Sequence, residues 1–352
     1  MLVDPLPTFL LTRTRASHSA VTPQHARLAD LLSKKPLILA PMEDVTDAVF
    51  RRLCRGLGAD ICVTEFVNAE GLLRGSGVAQ RKITLYDGDD PTAIQIYGSD
   101  AARLAEAAAV SEAAGPAFID INCGCWVPKV AQKGAGAGWL RDPAAMVAMA
   151  EMVVKSVKLP VTVKTRIGWG PESEMPIVEL AKRLEGVGVS ALTVHCRVAK
   201  VGHSGPADWQ WARRAREVVS IPVIVNGDVS TGEAFLKALA DTGCAGGMVG
   251  RAAIEHPWVF REAKALLETG VALPGPTTAE RFDIARAHLR ANCEARGEKF
   301  GVQVTRRHLG GYLRGLPGAA EIRRTLFSIP TLSGCLDHLD SSEAQIGDRV
   351  AA

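Results

Sequence analysis

Short apolar runs along this chain repeatedly end in side chains that can do chemistry. Pro41-Met42 closes the first run, Gln95 sits in the third, and the fourth ends in Asn122-Cys-Gly-Cys125. Lys164 and Arg166 stand in the fifth, His195 and Arg197 at the sixth, Asn226-Gly-Asp228 at the seventh and Gly250-Arg251 at the eighth. A polar group in an apolar strand costs free energy unless it meets a partner or a ligand. One lysine or histidine alone is ordinarily a satisfied core group, but convergent polar groups at so many strand ends point to a binding site.

The residue types narrow what such a site would bind. Gly227 and Gly250-Arg251 follow the last two runs, where backbone N–H groups and helix N-termini commonly face a phosphate. Arg251 adds a bidentate contact to it. Lys164 can hold electron density on a polarised ring, and Gln95 and Asn122 can pair with the edge of a heterocycle. A phosphate together with a planar heterocycle implies a mononucleotide such as FMN, which carries hydride chemistry while the protein orients and tunes it. Cys125 is the candidate proton donor, at the head of a loop that runs on to Lys133-Gly-Ala-Gly-Ala-Gly138. Cys123, by alternation, points elsewhere and reads as a packed thiol.

Eight strands are needed to position these groups. The apolar runs are Leu37–Ala40, Asp60–Thr64, Ala93–Tyr97, Phe118–Ile121, Val161–Thr165, Ala191–His195, Val223–Asn226 and Gly247–Gly250. Continuous apolar runs suit strands buried on both faces of a parallel sheet. Ala- and Leu-rich helical stretches lie between them, with N-cap candidates at Ser99 or Asp100, Asp142, Ser173, and Ser230 or Thr231. Repeated βα units predict an α/β fold, a (β/α)8 TIM barrel with the site at the C-terminal ends of its strands. The alternative, a doubly wound open sheet, would carry a Gly-x-Gly-x-x-Gly after its first strand. Here that strand leads into Ala40-Pro-Met-Glu-Asp44.

The chain has 352 residues, which suits one barrel of about 250 residues and a small appendage. The barrel is expected over 37–270, and Leu273-Pro-Gly-Pro-Thr-Thr278 reads as a linker. A small all-helical domain is expected over 279–340, followed by a tail at 341–352. Residues 279–327 hold ten basic and five acidic residues, whereas the whole chain is only +3. That local excess is either a solvated helical face or a phosphate-contacting surface. The eight cysteines are scattered without a Cys-x-x-Cys, so neither a metal site nor a disulfide framework is indicated, and a reducing cytoplasm is expected. No apolar run reaches the roughly 18 residues of a membrane span. Residues 1–36, rich in Pro, Thr, Arg and Ser, read as a poorly ordered extension.

Several motifs in order resemble the bacterial tRNA-dihydrouridine synthases. They are Ala40-Pro-Met-x-x-Val-Thr-Asp47, Asp120-Ile-Asn-x-Gly-Cys125, Val163-Lys-Thr-Arg166, His195-x-Arg197, Asn226-Gly-Asp228 and Gly250-Arg-Ala-Ala253. Ser204–Trp209, His256–Phe260, Arg306–Leu309 and Pro317–Arg324 extend the match from about Leu37 to Asp340. The resemblance implies an FMN-bearing barrel, a helical domain that grips tRNA or another structured RNA, and NADPH as reductant. It implies hydride delivery to C6 of a flipped-out uridine and protonation of C5 by Cys125. Pro41, Met42, Gln95, Asn122, Lys164, His195, Asn226, Gly227, Asp228, Gly250 and Arg251 match flavin-site positions. RNA contacts are expected from Lys129, Lys133, Arg166, Arg306, Arg307, Arg323 and Arg324, in a protein acting as a monomer.

Two stretches depart from the family pattern. Trp126 stands where a proline is usual, so an indole beside the acid is expected to reshape the base pocket, partly close it, or stack on a base. The usual Thr-Arg-x-Gln-x-Tyr reads Val198-Ala-Lys-Val-Gly-His203. Two other functions remain open at this stage. One is a flavin barrel acting on a free pyrimidine, similar to the dihydroorotate dehydrogenases. The other is an RNA-binding protein that keeps the scaffold without turnover.

Overall fold

In the computed structural model the chain is described over residues 22–170 and 175–351. Residues 1–21 and the cap candidate Ser173 lie outside them. Eight parallel strands close a barrel: β1 Leu37–Leu39, β2 Ile61–Val63, β3 Thr92–Tyr97, β4 Phe118–Cys123, β5 Val161–Arg166, β6 Ala191–His195, β7 Val223–Asn226 and β8 Gly246–Val249. β1 pairs with both β2 and β8, and β2 with β3, so the sheet has no free edge. A two-residue strand, Val67–Asn68, extends the sheet beside the end of β3. Expected caps are made: Asp100, Asp142 and Thr231 each accept a hydrogen bond from the first turn of their helices. The (β/α)8 barrel is therefore the fold.

Strand periodicity sorts the barrel's contents into layers. Ile38, Ile61, Val63, Ala93, Phe118, Ala191, Ile224 and Met248 form an apolar floor inside it. The alternate residues, among them Leu39, Ile94, Ile119, Val163, Leu192 and Val225, pack against the surrounding helices. Gln95, Asp120, Asn122, Thr162, Lys164, Arg166, His195 and Asn226 share the inward phase above that floor. The register seats Asn122 beside Lys164, Arg166 beside His195, and His195 beside Asn226.

The first described segment corrects the sequence reading. Residues 23–33 form α1 (Pro23–Ser33), capped by Thr22 and opened by a proline. Its Leu28 and Leu32 are buried in the same cluster as the floor, so α1 plugs the barrel from its N-terminal end. A weak amphipathic stretch gains order here because the barrel offers an apolar opening to cover.

The C-terminal helices are α2 (Thr278–Arg296), α3 (Glu298–Tyr312), α4 (Ala319–Ser328) and α5 (Leu332–Ala351). Thr277 and Glu280 cap α2 reciprocally. The last helix runs through the stretch read as a tail. The helical domain is not independent of the barrel, since Trp258 of the barrel is buried in its core with Phe282, Leu309, Tyr312 and Leu326. Gly311 lies so close to the helix Arg251–Glu255 that a Cβ would sit 2.3 Å from Glu255 Cα. Phe50 packs on His308 and His288, with centroids 4.5 and 5.8 Å away, and His288 Nδ1 meets the Tyr312 hydroxyl at 2.9 Å.

Two outcomes follow from this docking. Gly311→Ala must push α3 off the barrel; overpacking of this kind costs about 1–3 kcal/mol. It should lower the melting temperature and hasten proteolysis of the 271–277 linker, whereas an unchanged melt would mean the contact is soft. Burial also holds His288 and His308 near pKa 3. Unfolded histidines take up protons near pH 6.5, so between those values the unfolded state binds more protons. Stability is then full above about 6.5 and is lost as pH falls toward 3. The melting temperature should drop from pH 7 to 5, less steeply in His308→Leu.

Candidate active site

A cavity of about 820 Å³ opens at the C-terminal ends of the strands, within the range of small-molecule and cofactor sites. Pro41, Met42, Asn122, Cys125, Lys164, His195, Asn226, Gly227, Asp228, Gly250 and Arg251 all line it, as the sequence led us to expect. One site residue is not there. Gln95 is fully buried behind the wall. Its Nε2 donates to Asp120 at 2.5 Å and its Oε1 accepts from Asn122 Nδ2 at 2.8 Å. Each end of the amide thus has one internal partner, and Gln95 is not among the residues that line the cavity.

Asn122 uses its amide to hold the loop that follows. Its Oδ1 accepts from Gly124 N and Cys125 N at 3.1 and 2.9 Å. Ala137 N donates to the Cys125 carbonyl at 2.9 Å. The glycine-rich loop now has a reason: at Gly136, where φ is +56°, a Cβ would lie 2.7 Å from that same carbonyl. Burial pushes the Cys125 thiol above its ordinary range, with Val127 N–H and Arg166 pulling more weakly the other way. The thiol is therefore protonated at neutral pH, the state a proton donor needs. Cys123 is fully buried in the outer core, as alternation predicted.

Lys164 is half-buried on the cavity wall, and its ammonium has no hydrogen-bond partner among the described residues. Burial and then the neighbouring Arg166 bring it down to about 8, so it is still a cation at neutral pH. His195 is pushed far below the imidazole range by burial and then by Lys164, Arg166 and Arg197. Its Nε2 faces Arg197 Nη1 at 3.3 Å, which assigns the ring proton to Nδ1. Asn226 donates to Met248 O at 2.8 Å, and Asp228 takes both Arg197 and Ala207 N. Gly227 has φ +106°, and a Cβ there would meet the His195 ring at 3.0 Å. Arg251 is exposed, its nearest carboxylate being Asp228 at 3.8 Å.

Arg166, an expected RNA contact, lines the cavity and is only 1% exposed. Its Nε donates to Gly124 O at 3.0 Å, and its Nη1 to Val198 O at 3.1 Å and Gly202 O at 2.7 Å. It ties the Cys125 loop to the loop after β6. Arg306 is half-buried, and its Nη2 donates to Ile329 O within the helical domain. Arg307 reaches Asp44 O at 2.7 Å and steadies the loop after β1. Lys129, Lys133, Arg323 and Arg324 are exposed, with Arg324 near Glu321 at 3.6 Å.

Sequence reading passed over four participants. Asp120 is buried between Thr162 and Gln95 and pushed up to about 6 by burial; an aspartate inside an apolar run was its signal. Glu65 accepts from Asp44 N at 2.7 Å and orients the β1 loop. Glu43 and His203 line the cavity but follow no strand pattern that marks them.

The chain matches the family model described as Dihydrouridine synthase (Dus) over residues 38–346. It is 41% identical to tRNA-dihydrouridine synthase B of Pseudomonas aeruginosa, covering 82% of this chain and 86% of that one. It is 36% identical to probable tRNA-dihydrouridine synthase 1 of Synechocystis, covering 90% and 88%. With the probable tRNA-dihydrouridine synthase of Rickettsia prowazekii the identity is 38%, over 82% and 89%. A closed parallel barrel, a thiol held at its mouth and this extent of similarity agree: the chain belongs to the dihydrouridine synthase family.

Proposed function

We propose that this protein reduces uridine to 5,6-dihydrouridine in tRNA, with FMN as its bound cofactor and NADPH as the source of electrons. The observation that carries the reading is the pairing, in one cavity, of a protonated thiol at Cys125 with an unpartnered ammonium at Lys164. The names of the relatives support tRNA as the substrate.

The donor set fits a flavin mononucleotide. Lys164 offers a free cation beside a ring, Gly227 and Gly250 keep side chains out of the way, and exposed Arg251 is available to a phosphate. Lys164, Asn226, Gly227, Gly250 and Arg251 would hold the cofactor, which supplies hydride chemistry when bound. The remaining work belongs to the chain. Cys125 Sγ gives a proton to C5 as C6 gains hydride, so the C5=C6 double bond is consumed by one hydride and one proton. Asn122, Ala137 and Arg166 keep the thiol's loop still while this happens. Flipping the base out of its stack costs about a few kcal/mol, less in a loop.

Cys125→Ala should keep the yellow flavin and bind tRNA while losing about 10²–10⁴-fold in turnover, the usual worth of a positioned acid. Wild-type turnover should fall as pH rises through the raised thiol range, because only the protonated form donates. Nucleoside mass spectrometry of tRNA treated with purified protein, FMN and NADPH reads both, and full activity in Cys125→Ala would remove the thiol from this role.

RNA contact falls to the exposed cations. Lys129 and Lys133 follow the acid, and Arg323 lies over Gly310, one turn from Arg307. Charge reversal at Lys129, Lys133 and Arg323 should weaken tRNA binding and flatten its salt dependence by about one unit of slope per lost phosphate contact. An unchanged slope would make them solvated surface.

A further inference from the structure

Three rings step down one wall of the cavity. Trp126 and His203 stand edge to face at 5.7 Å, and His203 and His195 lie 5.9 Å apart. The lowest ring is buried, while the indole on the rim keeps 36% of its surface in solvent. Its N–H has no hydrogen-bond partner among the described residues. Tryptophan usually hides its ring or satisfies its N–H, and this one does neither.

The indole's seat is nevertheless built. Gly202 has φ +61°, and a Cβ there would come within 3.1 Å of the indole carbons. Glycine is thus required twice over, for the backbone and for the ring. The Gly202 carbonyl is also one of those that Arg166 holds, together with Gly124 O on the Trp126 side. One buried guanidinium therefore fixes both halves of the aromatic wall, and the ring is rigidly presented while its outer surface stays bare.

We propose that Trp126, backed by His203, is the platform on which an unpaired base flanking the target uridine stacks, and that it selects which uridine enters. This rests on the RNA-reducing reading above. Cys125 must touch the reacting ring, so that ring lies inside the rim. Its covalent neighbour Trp126 then lies outside the ring, where the next nucleotide passes. Lys129 and Lys133, exposed cations, follow in the same segment. Base–aromatic stacking tolerates any base, because every base has a π face.

Binding of an unmodified tRNA transcript, measured at several salt concentrations, tests this with Trp126→Ala and Trp126→Phe. Trp126→Ala should bind roughly ten-fold more weakly, as loss of one stacked base implies, with the salt slope unchanged because no phosphate contact is lost. Trp126→Phe should recover most of the affinity, which a folding defect in the alanine variant would not mimic. Dihydrouridine mapping should show Trp126→Ala choosing among uridines less strictly, while NADPH reduces its flavin at the wild-type rate. Equal affinity and an unchanged modification site in Trp126→Ala would overturn the proposal. So would slower flavin reduction with RNA binding intact, since the indole would then serve the reductant. If the wild type forms no dihydrouridine yet its RNA binding depends on Trp126, the reductase reading fails and the platform stands.

Discussion

The Arg166 guanidinium is buried, and the described carboxylates leave it unpaired. Burying a lone charge is costly, and here the cost is offset by three backbone carbonyls, those of Gly124, Val198 and Gly202. Gly124 belongs to the loop after β4, and Val198 and Gly202 to the loop after β6. The charge also stands on the cavity's lining. It converts two loops from different βα units into one wall, and the thiol, the indole and the His203 ring all stand on that wall.

A second constraint is the polarity of the barrel's interior. Side chains below the site are apolar, and α1 covers them from beneath. Above them, Thr162, Asp120, Gln95 and Asn122 form a continuous relay that ends on the N–H groups of Gly124 and Cys125. A buried network is stable only when each member is satisfied. Satisfaction here leaves Gln95 and Asn122 rigid, and it transmits the strand register directly to the position of the acid. Lys164 stands apart from the relay, a cation at the cavity wall left for a ligand to meet.

The helical domain approaches the same mouth by close backbone contact. Gly311 rests on the helix that follows β8, Arg307 holds the loop that follows β1, and Arg314 pairs with Glu255 at 2.8 Å. Both barrel loops line the cavity. Arg307, which looked like an RNA contact, therefore helps to place the domain. The domain's position is thus part of the site's construction.

Much of this was legible in the residues. Eight apolar runs with helical stretches between them dictate a parallel barrel, because strands buried on both faces admit few other closures. The strand-end groups, Cys125 above all, then must gather at one mouth, and all but Gln95 of the expected cofactor-site residues do. What the sequence could not decide is which polar groups face the cavity and which face each other. Gln95 and Arg166 have the same inward phase as Lys164, and only the geometry of the loops above them turns the first two toward internal partners. Nor could it decide the order of residues 22–36 or the use of Arg306 and Arg307. Those depend on an apolar opening and on free carbonyls supplied by segments distant in the chain. Local pattern determines which face a side chain takes, whereas its partner is chosen by whatever the folded chain brings within hydrogen-bond reach.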